Sequence, residues 1–102
     1  MVQYDVLIGP RAMESVDDVV DFLKNTYTEE FAQKYRKAVI YQLDALSYYA
    51  PIFPLSRFKM AREIHPEAKT LSIMKHRWTV VFHIEDGFVI VDRIIPSSQM
   101  IE

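Results

Sequence analysis

Residues 76–95 read HRWTVVFHIEDGFVIVDRII, and this stretch decides the fold of the C-terminal half. Two runs rich in β-branched and aromatic residues flank Asp86-Gly87, a dipeptide favoured in two-residue hairpin loops because both central positions need positive φ. A loop of that length sets Glu85 opposite Phe88. Counting outward pairs Ile84 with Val89, Phe82 with Val91, Val80 with Arg93 and Trp78 with Ile95. Side chains alternate across a strand, so this set forms a single face that reads as a core face. The opposite face carries Phe88, His83, Ile90, Val81, Asp92, Thr79 and Ile94. It is apolar but broken by His83 and Asp92, a half-open surface of the kind that awaits a partner.

Upstream of the hairpin the hydrophobic period changes in a definite order. Val2, Tyr4, Val6 and Ile8 alternate with Gln3, Asp5 and Leu7, giving a strand that stops at Gly9-Pro10. Proline suits a first helical turn. Ala12, Val16, Val19, Val20 and Leu23 then recur at helical spacing, with Glu14, Asp17, Asp18 and Asp21 as the solvated face. Thr26 or Thr28 caps a second helix, whose first turn carries Glu29 and Glu30 as the macrodipole favours. Its stripe is Phe31, Tyr35, Val39, Leu43 and Leu46. Pro51 and Pro54 end this helical hairpin, and Ile52–Phe58 forms an apolar loop that must lie on the core or on a partner. Arg57–Arg62 and Ala68–Lys75 read as one or two shorter strands parted by a turn near His65-Pro66-Glu67. The expected order is β-α-α-β-β-β: one α+β domain over residues 1–102, with a helical hairpin packed on a small antiparallel sheet.

Composition narrows the function classes. Half of the 102 residues are apolar, which excludes disorder. The absence of cysteine removes disulfides, a thiolate nucleophile and a cysteine-ligated zinc site, and it fits a reducing cytoplasm. The N-terminus lacks a basic segment followed by a long apolar run, and no stretch approaches the ~20 apolar residues a bilayer requires. A cytoplasmic protein without a membrane partner is expected. Twelve Lys and Arg against fourteen Asp and Glu leave no general basic field for nucleic acid. His65, His76 and His83 have no adjacent carboxylate signature, so neither a metal nor a cofactor is expected.

Strand, helical hairpin and then an antiparallel meander resembles the RelE/ParE superfamily of bacterial type II toxins, including plasmid stabilisation proteins. The segment Tyr4–Ala12 looks like that family's opening strand running into its first helix. Phe31, Ala32 and Tyr35 followed by Leu43, Leu46 and the Pro51–Pro54 exit are similar to its second helix. The ending, Trp78-Thr79-Val80-Val81-Phe82-His83-Ile84-Glu85-Asp86-Gly87 followed by Ile94-Ile95-Pro96-Ser97-Ser98-Gln99, looks like its aromatic hairpin and short polar tail.

The resemblance implies one of two activities: cleavage of messenger RNA on the ribosome, or ParE-like poisoning of DNA gyrase without covalent chemistry. Cleavage needs cations around the phosphate together with a base and an acid. This chain has Thr79 where the family often carries arginine, with Arg77 two residues earlier. It ends its last strand in Pro96-Ser97-Ser98-Gln99 in place of a basic pattern, and no tyrosine follows Tyr49. Candidate catalytic residues are Arg62, Arg77, His83 and Arg93. The depleted nuclease apparatus and the acidic balance favour a ParE-like inhibitor, or a degenerate, non-toxic interaction module of the same fold, over an active messenger RNA endonuclease. The resemblance further implies a cognate antitoxin, laid along surplus apolar residues: Tyr49, Ile52, Phe53, Leu55, Phe58 and Ile90 are the candidate contacts. The same surface could serve a homodimer of the free protein.

Overall fold

The computed structural model describes residues 3–100, and within them the hairpin organises the rest. β3 (Trp78–Glu85) and β4 (Phe88–Pro96) pair antiparallel through Asp86-Gly87, whose φ values of 50° and 82° match the mirror-image turn favoured by this dipeptide. Pairing runs as expected from Glu85↔Phe88 to Phe82↔Val91. There β4 carries one extra residue, Asp92. Beyond it Val81 faces Arg93, Val80 faces Ile94 and Trp78 faces Pro96, correcting the expected pairs Val80–Arg93 and Trp78–Ile95. A bulge shifts the register by one residue and so exchanges faces: Ile94 joins the main core, whereas Arg93 and Ile95 turn to the other side.

β2 (Lys69–Ile73) pairs antiparallel with β3, and β1 (Asp5–Ile8) adds to β4 in parallel, giving the order β1-β4-β3-β2. The antiparallel meander is as expected, and the opening strand makes the sheet mixed. Tyr4, Val6 and Ile8 pack on the core as their alternation requires; Val2 lies outside the described residues. At Gly9 the chain passes so close to β4 that a Cβ would stand 2.9 Å from the Val91 carbonyl oxygen, to which the Gly9 N–H itself donates at 2.8 Å.

α1 (Pro10–Thr26) and α2 (Glu29–Asp44) cover the inner face of the sheet. α1 buries Ala12, Val16 and Val20, and α2 buries Ala32, Val39 and Leu43 against Val80, Phe82, Val89, Val91 and Ile94. Thr28 is the cap: its Oγ1 accepts the Phe31 N–H at 3.0 Å, a bond whose loss typically costs about 1 kcal/mol. Ala32 takes the buried position next to Phe31, which stays exposed. Asp17 and Arg36 join the two helices at 2.6 Å. Trp78 Nε1 donates to the Tyr35 hydroxyl at 2.7 Å, tying β3 to α2. A short helix α3 (Leu46–Tyr49) and a 3-10 turn (Ala50–Ile52) follow.

The segment expected as a strand at Arg57–Arg62 is instead α4 (Lys59–Ile64). Its alternation, Phe58, Met60 and Ile64, is also compatible with a helix, since Met60 and Ile64 are one turn apart. Lys59, Met60, Ala61, Arg62 and Glu63 are good helix formers, and that preference prevails. His65 ends the helix in an extended conformation, as a residue before proline must. α4 lies on the outer face of the sheet, where Ala61, Ala68, Val81 and Ile95 form a second buried cluster with Phe58, Met60, Ile64 and Met100 around it. The face expected to be half-open is therefore covered by α4 over Val81 and Ile95, while Phe88 stays exposed and Ile90 half-buried on its remaining part.

Candidate functional site

His83 sits on that covered face and is buried. Its Nδ1 lies 2.7 Å from Asp92 Oδ2, and its Nε2 lies 3.2 Å from Glu85 Oε2. Asp92 is within reach because it is the extra residue of the bulge, and Glu85 because it lies two residues along the same face of β3. The His65 ring from the end of α4 stacks on His83 with centroids 3.7 Å apart and planes 6° from parallel. Burial pulls the His83 pKa down, but the bonds and charges of Asp92 and Glu85 prevail and raise it above the ordinary 6.5. A group raised in this way stabilises the fold fully below its unfolded value and loses that contribution as pH climbs through the folded one. With both nitrogens engaged and one ring face covered, His83 holds elements together and has no free nitrogen to offer a substrate.

The other cationic candidates do not gather around it. Arg62 is turned toward its own loop, donating from Nη1 to the Ser56 and Arg57 carbonyls at 3.3 and 3.0 Å. Arg77 is exposed in the β2–β3 turn and edges an open groove of about 510 Å³ with Asp18, Phe22, Tyr35 and Trp78. Arg93, placed by the bulge, edges a separate groove of about 720 Å³ with Arg11, Glu63 and Asp92. Arg77 and Arg93 thus belong to different concavities, and Arg62 lines neither of the two. Among the described residues no set of three His, Asp or Glu side chains is placed to hold a metal ion. No helix of the described chain is long and apolar enough to cross a membrane.

The expected partner contacts divide into two groups. Tyr49, Ile52 and Leu55 are 52%, 72% and 59% exposed, and Tyr48 beside them is also exposed, so α3 and the loop after it present an aromatic and aliphatic ridge. Phe53 and Phe58 serve the interior. Phe53 packs edge-on against Phe82 with centroids 5.8 Å apart, and Phe58 caps α4 within the second cluster. Ile90 is half-buried in the groove beside Asp92 and Arg93. The loop stays up against the sheet edge because Lys69 Nζ donates to the Phe53 carbonyl at 2.5 Å and the Ser56 N–H donates to Ala68 O at 2.7 Å.

Sequence reasoning missed several partners. His65 belongs to the turn that the sequence predicts near Pro66, and its stacking on His83 depends on where α4 docks. Gln42 holds the β2–β3 turn to α2, accepting the Met74 N–H at 2.9 Å. That turn places Met74, Lys75 and His76 at φ of 53°, 55° and 66° without a glycine, a conformation that costs an L-residue about 1–2 kcal/mol.

No protein-family model matches the chain, and no curated protein matches it in sequence. Its structure is similar to that of a chain from the chromosomal ParDE TA system of P. aeruginosa, with a TM-score of 0.76 and 16% identity. The match covers 92% of this chain and 96% of that one. The likeness is one of fold: an α+β domain with a helical hairpin packed on a four-stranded sheet.

Proposed function

We propose that this chain is the toxin component of a type II toxin–antitoxin module, a ParE-like inhibitor that acts by binding a target such as DNA gyrase and is neutralised by a cognate antitoxin. The observation that carries this reading is the fold likeness to the ParDE chain over nearly the whole of both molecules. Two features favour inhibition over messenger RNA cleavage. Arg62, Arg77, His83 and Arg93 lie apart or are already engaged, so they offer no single cleft with an acid, a base and phosphate-binding cations. The net charge of −2 supplies no attraction for RNA. The ridge of Tyr49, Ile52 and Leu55 offers an antitoxin segment apolar ground in a region where backbone carbonyls are already tied down.

Induction of the protein alone in a bacterial host, with growth and a DNA-damage-response reporter recorded together, tests the reading. Arrest with the reporter on is expected. Arrest with the reporter silent and cleaved messenger RNA would replace this reading with the endonuclease, and normal growth at verified soluble expression would replace it with a non-toxic interaction module. The double variant Ile52→Asp, Leu55→Asp should leave arrest intact while weakening antitoxin binding by about 2 kcal/mol or more in calorimetry, since charges would be set into an apolar contact.

A further inference from the structure

The His65–His83 pair lies away from the apolar ridge, and its geometry fixes a charge state. Both nitrogens of His83 face carboxylate oxygens, at 2.7 Å and 3.2 Å. An ionised carboxylate only accepts, so each nitrogen carries a proton and the ring is an imidazolium. His65 is in the opposite state: its Nδ1 accepts the Glu67 N–H at 3.0 Å, so that nitrogen is bare and the ring is neutral. A neutral aromatic face over a cation is attractive, whereas two imidazolium rings 3.7 Å apart repel. The folded arrangement is thus matched to one positive charge on the pair.

The charged groups around the pair come from every element that meets there. β4 contributes Asp92 and Arg93, and β3 contributes Glu85; α4 contributes Arg62 and Glu63, with Glu67 following it, and the start of α1 contributes Arg11. Asp92 and Glu85 bond to His83 directly. Arg62 is held by backbone carbonyls of its own loop, while Arg11, Glu63 and Arg93 line the groove beside Asp92. His65 has no carboxylate among its hydrogen-bond partners in the described residues, so a proton added there meets the His83 cation with no bonded counter-charge.

We propose that the singly charged His65–His83 stack is a pH-gated latch that holds α4 on the outer face of the sheet, closed near neutrality and opened by a second proton. Protonation of His65 at Nδ1 displaces the Glu67 N–H and sets two cations face to face. α4 has six residues, far fewer than a helix needs to persist alone in water, so undocking melts it. Val81 and Ile95, buried beneath it, then become accessible.

Hydrogen exchange by NMR on the full chain tests the latch, with protection factors followed from pH 7.5 to pH 5 at the Arg62 and His65 amides, which bond to Phe58 O and Ala61 O, and at β3 as reference. Protection in α4 is expected to fall about tenfold more than in β3 as the pH is lowered, the scale of one added like-charge contact in a partly solvated site. His65→Phe, which keeps a flat ring and cannot be charged, should hold α4 protection level with β3. Should that variant not fold, His65→Gln, which can still accept the Glu67 N–H, takes its place with the same expected profile. Parallel protection of α4 and β3 throughout the range in the wild type overturns the proposal. So does an equal acid loss in the uncharged variant.

Discussion

On the inner face of the sheet, Val80, Phe82, Val89, Val91 and Ile94 lie beneath two long amphipathic helices. On the outer face, Val81 and Ile95 lie beneath the six residues of α4, and His83 and Thr79 are buried beside them. Apolar burial is non-directional and indifferent to pH. The outer face adds a polar joint, built from two carboxylates, two imidazoles and one bulge, whose strength depends on charge. The same strands therefore support a robust layer on one side and a conditional one on the other, because adjacent residues of β3 point to opposite faces.

Substitutions in each layer would break or sharpen that contrast. Phe82→Ala removes the largest fully buried side chain of the inner layer and should cost about 3–5 kcal/mol in urea denaturation, with hairpin and helices lost together. Gly9→Ala drives a methyl group toward the Val91 carbonyl, a backbone atom that can yield only if α1 moves off β4; the expected cost is about 1–3 kcal/mol by the same measurement. Val81→Ala removes two buried methyl groups from the outer layer, about 1.5 kcal/mol, and should raise hydrogen exchange in α4 before it raises exchange in α1. An equal rise in both helices would mean that the two layers are one cooperative unit. The smallest effect is the alkaline side of the His83 joint. Stability measured by urea should be flat below pH 6.5 as far as His83 is concerned and decline as pH rises through its elevated folded value, a slope that His83→Gln should abolish.

How much of this was legible in the sequence varies with the range of the interaction involved. Asp86-Gly87 announces its turn, Thr28 its cap and Val16, Val20, Val39 and Leu43 their buried stripes, because each signal is complete within a few residues. The bulge is not legible: nothing local marks Asp92 as the unpaired residue, and its carboxylate gains a role only through the His83 nitrogen that the folded sheet brings to it. α4 stands where the sequence predicts a strand because Phe58, Met60 and Ile64 satisfy two periods, and a short segment takes the one its docking surface rewards. Of the candidate site residues, Tyr49, Ile52 and Leu55 stand exposed on a ridge, Phe53 and Phe58 are drawn inside, and the four cationic candidates are spread over separate environments.

By itself the sequence determined the α+β class, the element order apart from α3 and α4, the hairpin turn and the inward face of each long helix, since turn chemistry and hydrophobic period are properties of neighbouring residues. The tertiary structure decided which face each residue past Asp92 presents, what covers the outer side of the sheet, and the meeting of His65 with His83. Those outcomes depend on segments far apart in the chain, and their energies exist only once the register between strands has been set.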